Sequence, residues 1–449
     1  MQKLFGTDGI RGVANIFPMN VETAVAIGKA IAKYFRDHGK TNKGHIVIGQ
    51  DTRLSGDMLA QAVAAGACSV GLDVCLLGVL PTPGIAYATI ASGALAGVVI
   101  SASHNPFEDN GIKIFDARGY KLFDDTERQI ESIIDSGVAN KLAPSHEIGR
   151  LKHGNHAGSQ YVDFLRHNTK INHLKNFKIA IDCANGATFH VAPALFKGLG
   201  ATVFPIGCDP NGTNINDSCG SQHPQRLAHI VVENGADLGL AFDGDGDRLI
   251  AVDEKGHILS GDQIMAILAK HLHESGVLRN SVVVATVMSN LGFRMALHQM
   301  NIKLFTTQVG DRYVMQRMLE EDAVLGGEDS GHMILRDAHT TGDGLMAALR
   351  LIEALQRKAQ PLSEMAKVMT IFPQKLINVD VKSKPDLAAI PEISQTIARA
   401  EESLGESGRV LVRYSGTQNK CRVMVEGPTE AQTNGLCAEI AATIKKILG

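Results

Sequence analysis

Apolar and polar positions along the chain follow two alternating periods. Over residues 21–38, Val21, Val25, Gly28, Ile31 and Phe35 recur at helical spacing, and Gly39 stands where such a helix would end. The run His45-Ile-Val-Ile-Gly49 then reads as a short buried strand, followed by the polar turn Asp51-Thr-Arg-Leu-Ser-Gly56. The pattern continues with a helix over 57–70, a strand over 72–77, a helix over 83–92 and the buried strand Ala96-Gly-Val-Val-Ile-Ser101. Strands separated by helices imply right-handed crossovers and a mostly parallel sheet covered by helices. Asp124 and Asp125 are placed to cap a further helix with Ile130, Ile133 and Ile134 facing inward, and residues 137–155 read as a boundary.

The same unit recurs. Lys178-Ile-Ala-Ile-Asp-Cys-Ala-Asn-Gly186 and Val282-Val-Val-Ala-Thr-Val-Met-Ser-Asn290 repeat the order seen at Ile46-Val-Ile-Gly-Gln-Asp-Thr-Arg53. On pattern alone, an internal repeat and the general likeness of buried strands explain this equally well. The tail differs: Pro361 and Pro373 bracket a helix and a linker, before a strand (375–381), a helix (391–404), two strands (409–414 and 421–426) and a helix opening on Thr429-Glu-Ala-Gln432, a capping-box pattern. The expectation is three similar α/β domains with mixed, mostly parallel sheets, over 1–150, 151–255 and 256–370, and a small α+β domain over 371–449.

Composition narrows the function class. The 449 residues are 44% hydrophobic and 20% charged, which excludes disorder. Lys plus Arg number 44 against 47 Asp plus Glu, a net charge of −3, so no basic surplus points to a nucleic-acid partner. The most apolar region, 62–100, is broken by Asp73, Pro81 and Pro83, so no membrane span and no membrane partner are expected. Seven cysteines without a C-x-x-C pair, and an opening MQKLFGTDGIRG unlike a signal peptide, make a reduced cytoplasmic protein the expectation.

Four loops carry candidate chemistry. Ser101-Ala-Ser-His-Asn-Pro106 follows a buried strand directly, so its hydroxyls sit at a strand's carboxyl end, where open α/β sheets bind ligands. Taken alone, an ordinary polar turn is the simpler reading. Asp243-Gly-Asp-Gly-Asp247 puts three carboxylates at alternate positions, where they repel unless a cation neutralises them. Glycines between them let the oxygens converge, and hard oxygen ligands suit Mg²⁺. An EF-hand calcium loop fails because Arg248 stands at position 6, which needs Gly. Gly326-Gly-Glu-Asp-Ser-Gly-His332 offers a carboxylate, a hydroxyl and an imidazole to a polyhydroxylated ligand. Arg413-Tyr-Ser-Gly-Thr417, with Arg422 after it, offers backbone N–H groups and guanidinium charge to a phosphate, though a plain hairpin explains it about as well.

With these loops in this order the chain resembles the α-D-phosphohexomutases along essentially its whole length. Phe5-Gly-Thr-Asp-Gly-Ile-Arg-Gly12 is similar to the start of the bacterial phosphoglucosamine mutases within that family, and Asn110-Gly-Ile-Lys113 to the stretch after the serine loop. The resemblance implies four domains around one cleft and Ser103 as the phosphoryl carrier. It also implies one Mg²⁺ per subunit on Asp243, Asp245, Asp247 and a phosphoserine oxygen of Ser103. Glu328 and Ser330 would meet sugar hydroxyls, Arg413, Ser415, Gly416, Thr417 and Arg422 the substrate's phosphate, and Arg248 the substrate as well. Arg11, Lys113 and His332 would lie near the reacting oxygens. Two departures stand out: Tyr414, Gln418 and Asn419 replace residues of the family's Arg-Pro-Ser-Gly-Thr-Glu-Pro, and Asp329 stands where Gln is usual.

The reaction so implied interconverts glucosamine 6-phosphate and glucosamine 1-phosphate through a sugar bisphosphate, feeding UDP-N-acetylglucosamine and cell-wall precursor synthesis. The bisphosphate would also serve as activator or primer, Ser103 being first phosphorylated by a kinase or by self-phosphorylation, and a homodimer is compatible with the resemblance. The rivals are phosphomannomutase/phosphoglucomutase activity, sugar-phosphate binding without turnover, and phosphatase activity from water reaching the phosphoserine.

Overall fold

The computed structural model describes residues 4–6, 8–38, 44–137, 141–415 and 419–449. Gly39, Gly416, Thr417 and Gln418 lie outside the described residues. The chain divides into two compact units, residues 1–287 with 302–367, and residues 288–301 with 368–449.

The first unit holds three sheets. Strands β1 (Ile10–Val13), β2 (His45–Gln50), β3 (Asp73–Val79), β4 (Ala96–Ile100), β5 (Asp109–Asp116) and β6 (Leu151–His153) form one sheet in the order β1-β5-β4-β2-β3-β6. Its sixth strand therefore comes from beyond residue 150. Strands β7 (Lys178–Asp182), β8 (Thr202–Ile206), β9 (Leu238–Phe242), β10 (Leu249–Asp253) and β11 (Ile258–Leu259) form the second, in the order β11-β10-β9-β7-β8. The third, β13-β12-β14-β15, is built from β12 (Val282–Thr286), β13 (Lys303–Thr307), β14 (Leu325–Gly327) and β15 (Met333–Leu335).

One topology underlies all three. The strands that repeat in sequence, β2, β7 and β12, each lie between two parallel neighbours, and a fourth strand (β5, β10 or β15) joins antiparallel to the second of these. In each sheet a candidate loop links that antiparallel pair: 101–108 after β4, 243–248 after β9 and 328–332 after β14. The internal repeat thus outweighs the plain likeness of buried strands. The central strands β2, β4, β9 and β12 are largely apolar and buried almost throughout, as a sheet covered on both faces requires, while the edge strands β8 and β13 are partly exposed and β6 is exposed.

Two local expectations change. The first helix, Val21–His38, buries Ala24, Ile27, Gly28 and Ile31, while Val21 is exposed, so the buried stripe is rotated from the one read off the sequence. The helix Asp124–Ser136 begins after Phe123, with no side-chain cap; Asp124 and Asp125 lie inside its first turn, where the helix dipole favours a carboxylate.

The second unit is a three-stranded antiparallel sheet, β16 (Gln374–Asp380), β17 (Arg409–Tyr414) and β18 (Lys420–Glu426), in the order β16-β18-β17. Val379, Val423 and Val425 pack against Ile393 and Leu404 of the helix Pro391–Leu404 and Ile440 and Ile444 of the helix Glu430–Leu448. Thr429 caps the latter, its side chain accepting from the Gln432 N–H at 3.3 Å. The helix Leu291–Gln299 also belongs to this unit. No described helix is long and apolar enough to cross a membrane.

Candidate active site

Ser103 sits three residues past β4 with φ +54°, a left-handed conformation that a serine adopts only under constraint from its surroundings. The constraint is visible. Arg53, buried in the turn after β2, donates to the carbonyls of Ser103 (2.9 Å), Asn105 (2.8 Å) and Asp109 (2.9 Å), and also to that of Pro106. Asp51 holds Arg53 Nε at 2.9 Å and accepts from the Ser101 hydroxyl, whose oxygen in turn accepts from the Ser103 N–H at 3.0 Å. From the second sheet's domain, Asn216 Nδ2 donates to the Ser103 and Asn105 carbonyls at 2.9 and 3.1 Å. Ser101 is therefore a support, while the Ser103 Oγ donates to Asp243 Oδ2 at 2.6 Å.

The acidic loop comes this close because of its glycines. A Cβ on Gly244 would lie 2.5 Å from the Ser103 carbonyl oxygen, and Gly246 has φ +74°. Asp243, Asp245 and Asp247 are all buried, each with a carboxylate oxygen within 4.8 Å of the others'. Burial, then Asp247 and Asp245, push the Asp243 carboxyl well above its ordinary range. Burial acts the same way on Asp245, but Lys113 and a hydrogen bond from Thr82 outweigh it and hold that carboxyl low. Lys113 Nζ donates to Asp245 Oδ2 at 2.9 Å and Thr82 Oγ1 to the same oxygen at 2.7 Å. Asp245 Oδ1 and Asp247 Oδ1 are buried with no hydrogen-bond partner among the described residues. Three converging carboxylates with orphaned oxygens could hold a metal ion, and their hard donors fit a small divalent cation.

The remaining expected residues of the first unit gather around it. Arg248 Nε lies 3.8 Å from Asp243 Oδ2 and 3.9 Å from Asp247 Oδ1. Its backbone bridges that of His332, so the metal loop and the Glu328–His332 loop run side by side. His332 Nε2 is 3.8 Å from Asp247 Oδ2, and neither ring nitrogen has a hydrogen-bond partner among the described residues; nor does the buried Ser330 Oγ. Glu328 accepts from the Gly310 N–H at 3.0 Å. Arg11 donates to the Ala102 carbonyl at 3.3 Å, within the serine loop, and pairs with Asp8. His104 is pushed down to about 4 by burial and by Arg248 and Arg11, so it stays neutral beside Ser103. Asp329 turns away: its carboxylate accepts from the Asp262 N–H at 3.2 Å, at the start of the helix Gly261–Glu274.

In the second unit, Arg413 and Arg422 face each other directly across β17 and β18. Like charges opposed in a sheet repel, and burial and Arg422 together lower the Arg413 pKa. Ser415 is buried at the start of the connecting loop, its N–H on the Lys420 carbonyl at 2.8 Å and its own carbonyl held by Lys384 at 2.8 Å. Tyr414 anchors its hydroxyl on the Pro385 carbonyl at 2.8 Å, and the Asn419 carbonyl accepts from Val381 at 3.0 Å.

Sequence reasoning missed Asp51, Arg53, Thr82, Asn216, Asp8, Lys121 and Asp311. A signal existed for the first two, since Asp51-Thr-Arg53 occupies in the first repeat the place of Asp182-Cys-Ala in the second.

Comparison with known proteins places the chain in a family. Residues 2–141, 159–256 and 260–372 match alpha/beta/alpha domains I, II and III of phosphoglucomutase/phosphomannomutase, and 376–443 match its C-terminal domain. The chain is 52% identical to the phosphoglucosamine mutase of Syntrophus aciditrophicus (strain SB), over 100% of both chains. It is 51% identical to that of Syntrophotalea carbinolica, over 100% of this chain and 98% of the other. Among solved structures, a phosphoglucomutase/phosphomannomutase family protein from Burkholderia thailandensis shares the fold with a TM-score of 0.81 at 24% identity, over 99% and 98% of the two chains. With four consecutive domains and full-length relatives at half identity, the chain belongs to the phosphoglucomutase/phosphomannomutase family, the α-D-phosphohexomutases, in its phosphoglucosamine mutase branch.

Proposed function

We propose that the chain interconverts glucosamine 6-phosphate and glucosamine 1-phosphate with Ser103 as the phosphoryl carrier. The observation that carries this reading is the Ser103 hydroxyl, held 2.6 Å from Asp243 by a loop fixed from two domains. The full-length likeness to phosphoglucosamine mutases supports the choice of sugar.

Phosphorylated Ser103 gives its phosphoryl group to a free hydroxyl of the sugar monophosphate; the serine O–P bond breaks as the sugar O–P bond forms. The resulting bisphosphate returns its other phosphate to the serine oxygen, leaving the isomeric monophosphate. Asp243, Asp245 and Asp247 would hold Mg²⁺, which when bound neutralises charge on the transferring oxygens. Lys113 and Arg11 add positive charge at the serine loop, preorganised by their carboxylate partners. His332 carries an unpartnered nitrogen able to take or give the proton of the sugar hydroxyl. Glu328 and Ser330 bind sugar hydroxyls, Arg248 bridges to the substrate, and the Arg413–Arg422 pair with Ser415 binds phosphate. A sugar bisphosphate is a chemically sufficient donor to prime Ser103.

The test is a side-by-side assay of glucosamine 6-phosphate, glucose 1-phosphate and mannose 1-phosphate, with intact-mass analysis. Fastest turnover of the glucosamine phosphate and one phosphate mapped to Ser103 are expected. Faster turnover of mannose or glucose phosphate would overturn the substrate, and phosphate on another residue would overturn the carrier.

A further inference from the structure

Six ionisable side chains close a ring beside the carboxylate cluster, and half of them have no part in the reaction as described so far. Lys113 Nζ lies 3.3 Å from Asp8 Oδ2; Asp8 Oδ1 accepts from Lys121 Nζ at 2.8 Å; Lys121 pairs with Asp311. Asp311 Oδ2 is 3.8 Å from His332 Nε2, which is 3.8 Å from Asp247 Oδ2, and Asp247 Oδ2 is 4.0 Å from Lys113 Nζ. Carboxylates and nitrogen bases alternate all the way round.

Each member reaches the ring from a different element. Asp8 precedes β1, which pairs with β5 so that Arg11 lies opposite Gly111, two residues before Lys113. Lys121 follows β5 and is tied back to it by the Phe115–Lys121 bridge. Asp311 opens the helix Asp311–Glu320, where the helix dipole favours its negative charge. His332 lies in the loop before β15 and Asp247 in the loop after β9. Lys113 and His332 thus approach Asp247 from separate domains, linked on the near side through Asp245 and the Arg248–His332 bridge. Lys121 adds a link on the far side, by spanning the carboxylate that faces Lys113 and the one that faces His332.

We propose that Lys121, with Asp8 and Asp311, positions Lys113 and His332 for phosphoryl transfer, the far half of the ring setting the geometry of the near half. Asp8 also pairs with Arg11, so a single carboxylate aligns both cations expected at the serine loop. Removing the Lys121 charge leaves Asp8 and Asp311 without the cation between them in a largely buried site, which favours a shift of their partners Lys113 and His332.

The proposal rests on the function given above, and its test separates the two. In the full-length chain, Lys121→Met, Lys121→Arg and Asp311→Asn are assayed for kcat and KM with glucosamine 6-phosphate, for thermal midpoint and for phosphate on Ser103. In Lys121→Met, kcat should fall about ten- to a hundredfold with KM changed by less than about threefold, because misplacement acts on the transition state more than on binding. Lys121→Arg should recover most of that loss, and Ser103 should still carry phosphate. Adding Asp311→Asn to Lys121→Met should cost little more, since both break the same bridge. Wild-type kcat in Lys121→Met, or a loss that Lys121→Arg does not recover at equal thermal stability, overturns the proposal. Should Lys121→Met not fold, Asp311→Asn, which keeps side-chain size, decides by the same criteria. Should the wild type not isomerise the sugar phosphate, the functional reading falls, and a crystal structure of Asp311→Asn or Lys121→Met decides the ring. Displaced Lys113 and His332 side chains support it, and unmoved ones refute it.

Discussion

Ser103 and Asp243, 140 residues apart in sequence, meet hydroxyl to carboxylate at 2.6 Å. A phosphate placed on that hydroxyl would bring ~1.5–2 further negative charges against three carboxylates already in mutual repulsion. The phosphoserine form therefore needs a cation more than the free serine does. Mg²⁺ should bind the phosphorylated chain at least about tenfold more tightly, a modest 1.4 kcal/mol for charges so close. Calorimetric titration of the two forms checks it, and equal affinities would detach Ser103 from the metal site.

Chelation should stop turnover and added Mg²⁺ restore it. Asp245→Asn keeps the shape of the loop but removes one of the three carboxylate charges facing Lys113, so metal affinity should drop about ten- to a hundredfold with turnover following. Full activity in metal-free enzyme would contradict this.

The two serines should separate cleanly. Ser103→Ala should abolish turnover in a folded chain. Ser101→Ala removes the acceptor of the Ser103 N–H and the donor to Asp51, two hydrogen bonds worth about 1 kcal/mol each. It should slow turnover by about one decade while leaving one phosphate at residue 103. Intact mass and steady-state rates distinguish the cases.

Arg413 and Arg422 face each other as like charges across the sheet, and the proposed function has them share the substrate's phosphate. Charge-assisted hydrogen bonds are worth ~1.5–3 kcal/mol, so Arg422→Ala should raise KM by about one to two decades in both directions of the reaction. Inorganic phosphate should raise the thermal midpoint of the wild type and not of the variant. An unchanged KM in either direction would mean that these arginines do not hold the phosphate.

His339 predicts an acid-sensitive joint. Burial pushes its pKa down to about 4, and both nitrogens are used: Nε2 meets the Pro83 carbonyl at 3.0 Å and Nδ1 accepts from the Thr340 N–H at 2.8 Å. The unfolded chain binds its proton near pH 6.5 and the folded one only near 4. This contribution is thus complete above pH 6.5 and lost as pH falls towards 4, by about 3 kcal/mol. Asp343, raised to about 6 by burial, acts with the opposite sign over an overlapping window, so the wild-type profile alone is not diagnostic. The difference between wild type and His339→Gln should shrink by about 2 kcal/mol between pH 7 and pH 4.5 in denaturant titrations; a constant difference would refute it.

The sequence by itself determined the elements, because buried strands and amphipathic helices are written in local periodicity. It also singled out the four loops by their order along the chain, although the serine and arginine loops, each taken alone, read as well as ordinary turns. The parallel runs at β2, β7 and β12 were readable as repeats. That their candidate loops all occupy one equivalent connection needed the sheet order, since pairing joins strands tens of residues apart. The division of labour between Ser101 and Ser103 was also tertiary. Both are small hydroxyls in one loop, and only Asp51 and Asp243, brought in from elsewhere, make one a strut and the other a candidate carrier. Asp329 could equally have faced a sugar until the Gly261–Glu274 helix start claimed its carboxylate. Asp8, Lys121 and Asp311 look like solvated surface charges in sequence, because the desolvation and the opposite charge that give each its meaning come from other elements of the fold.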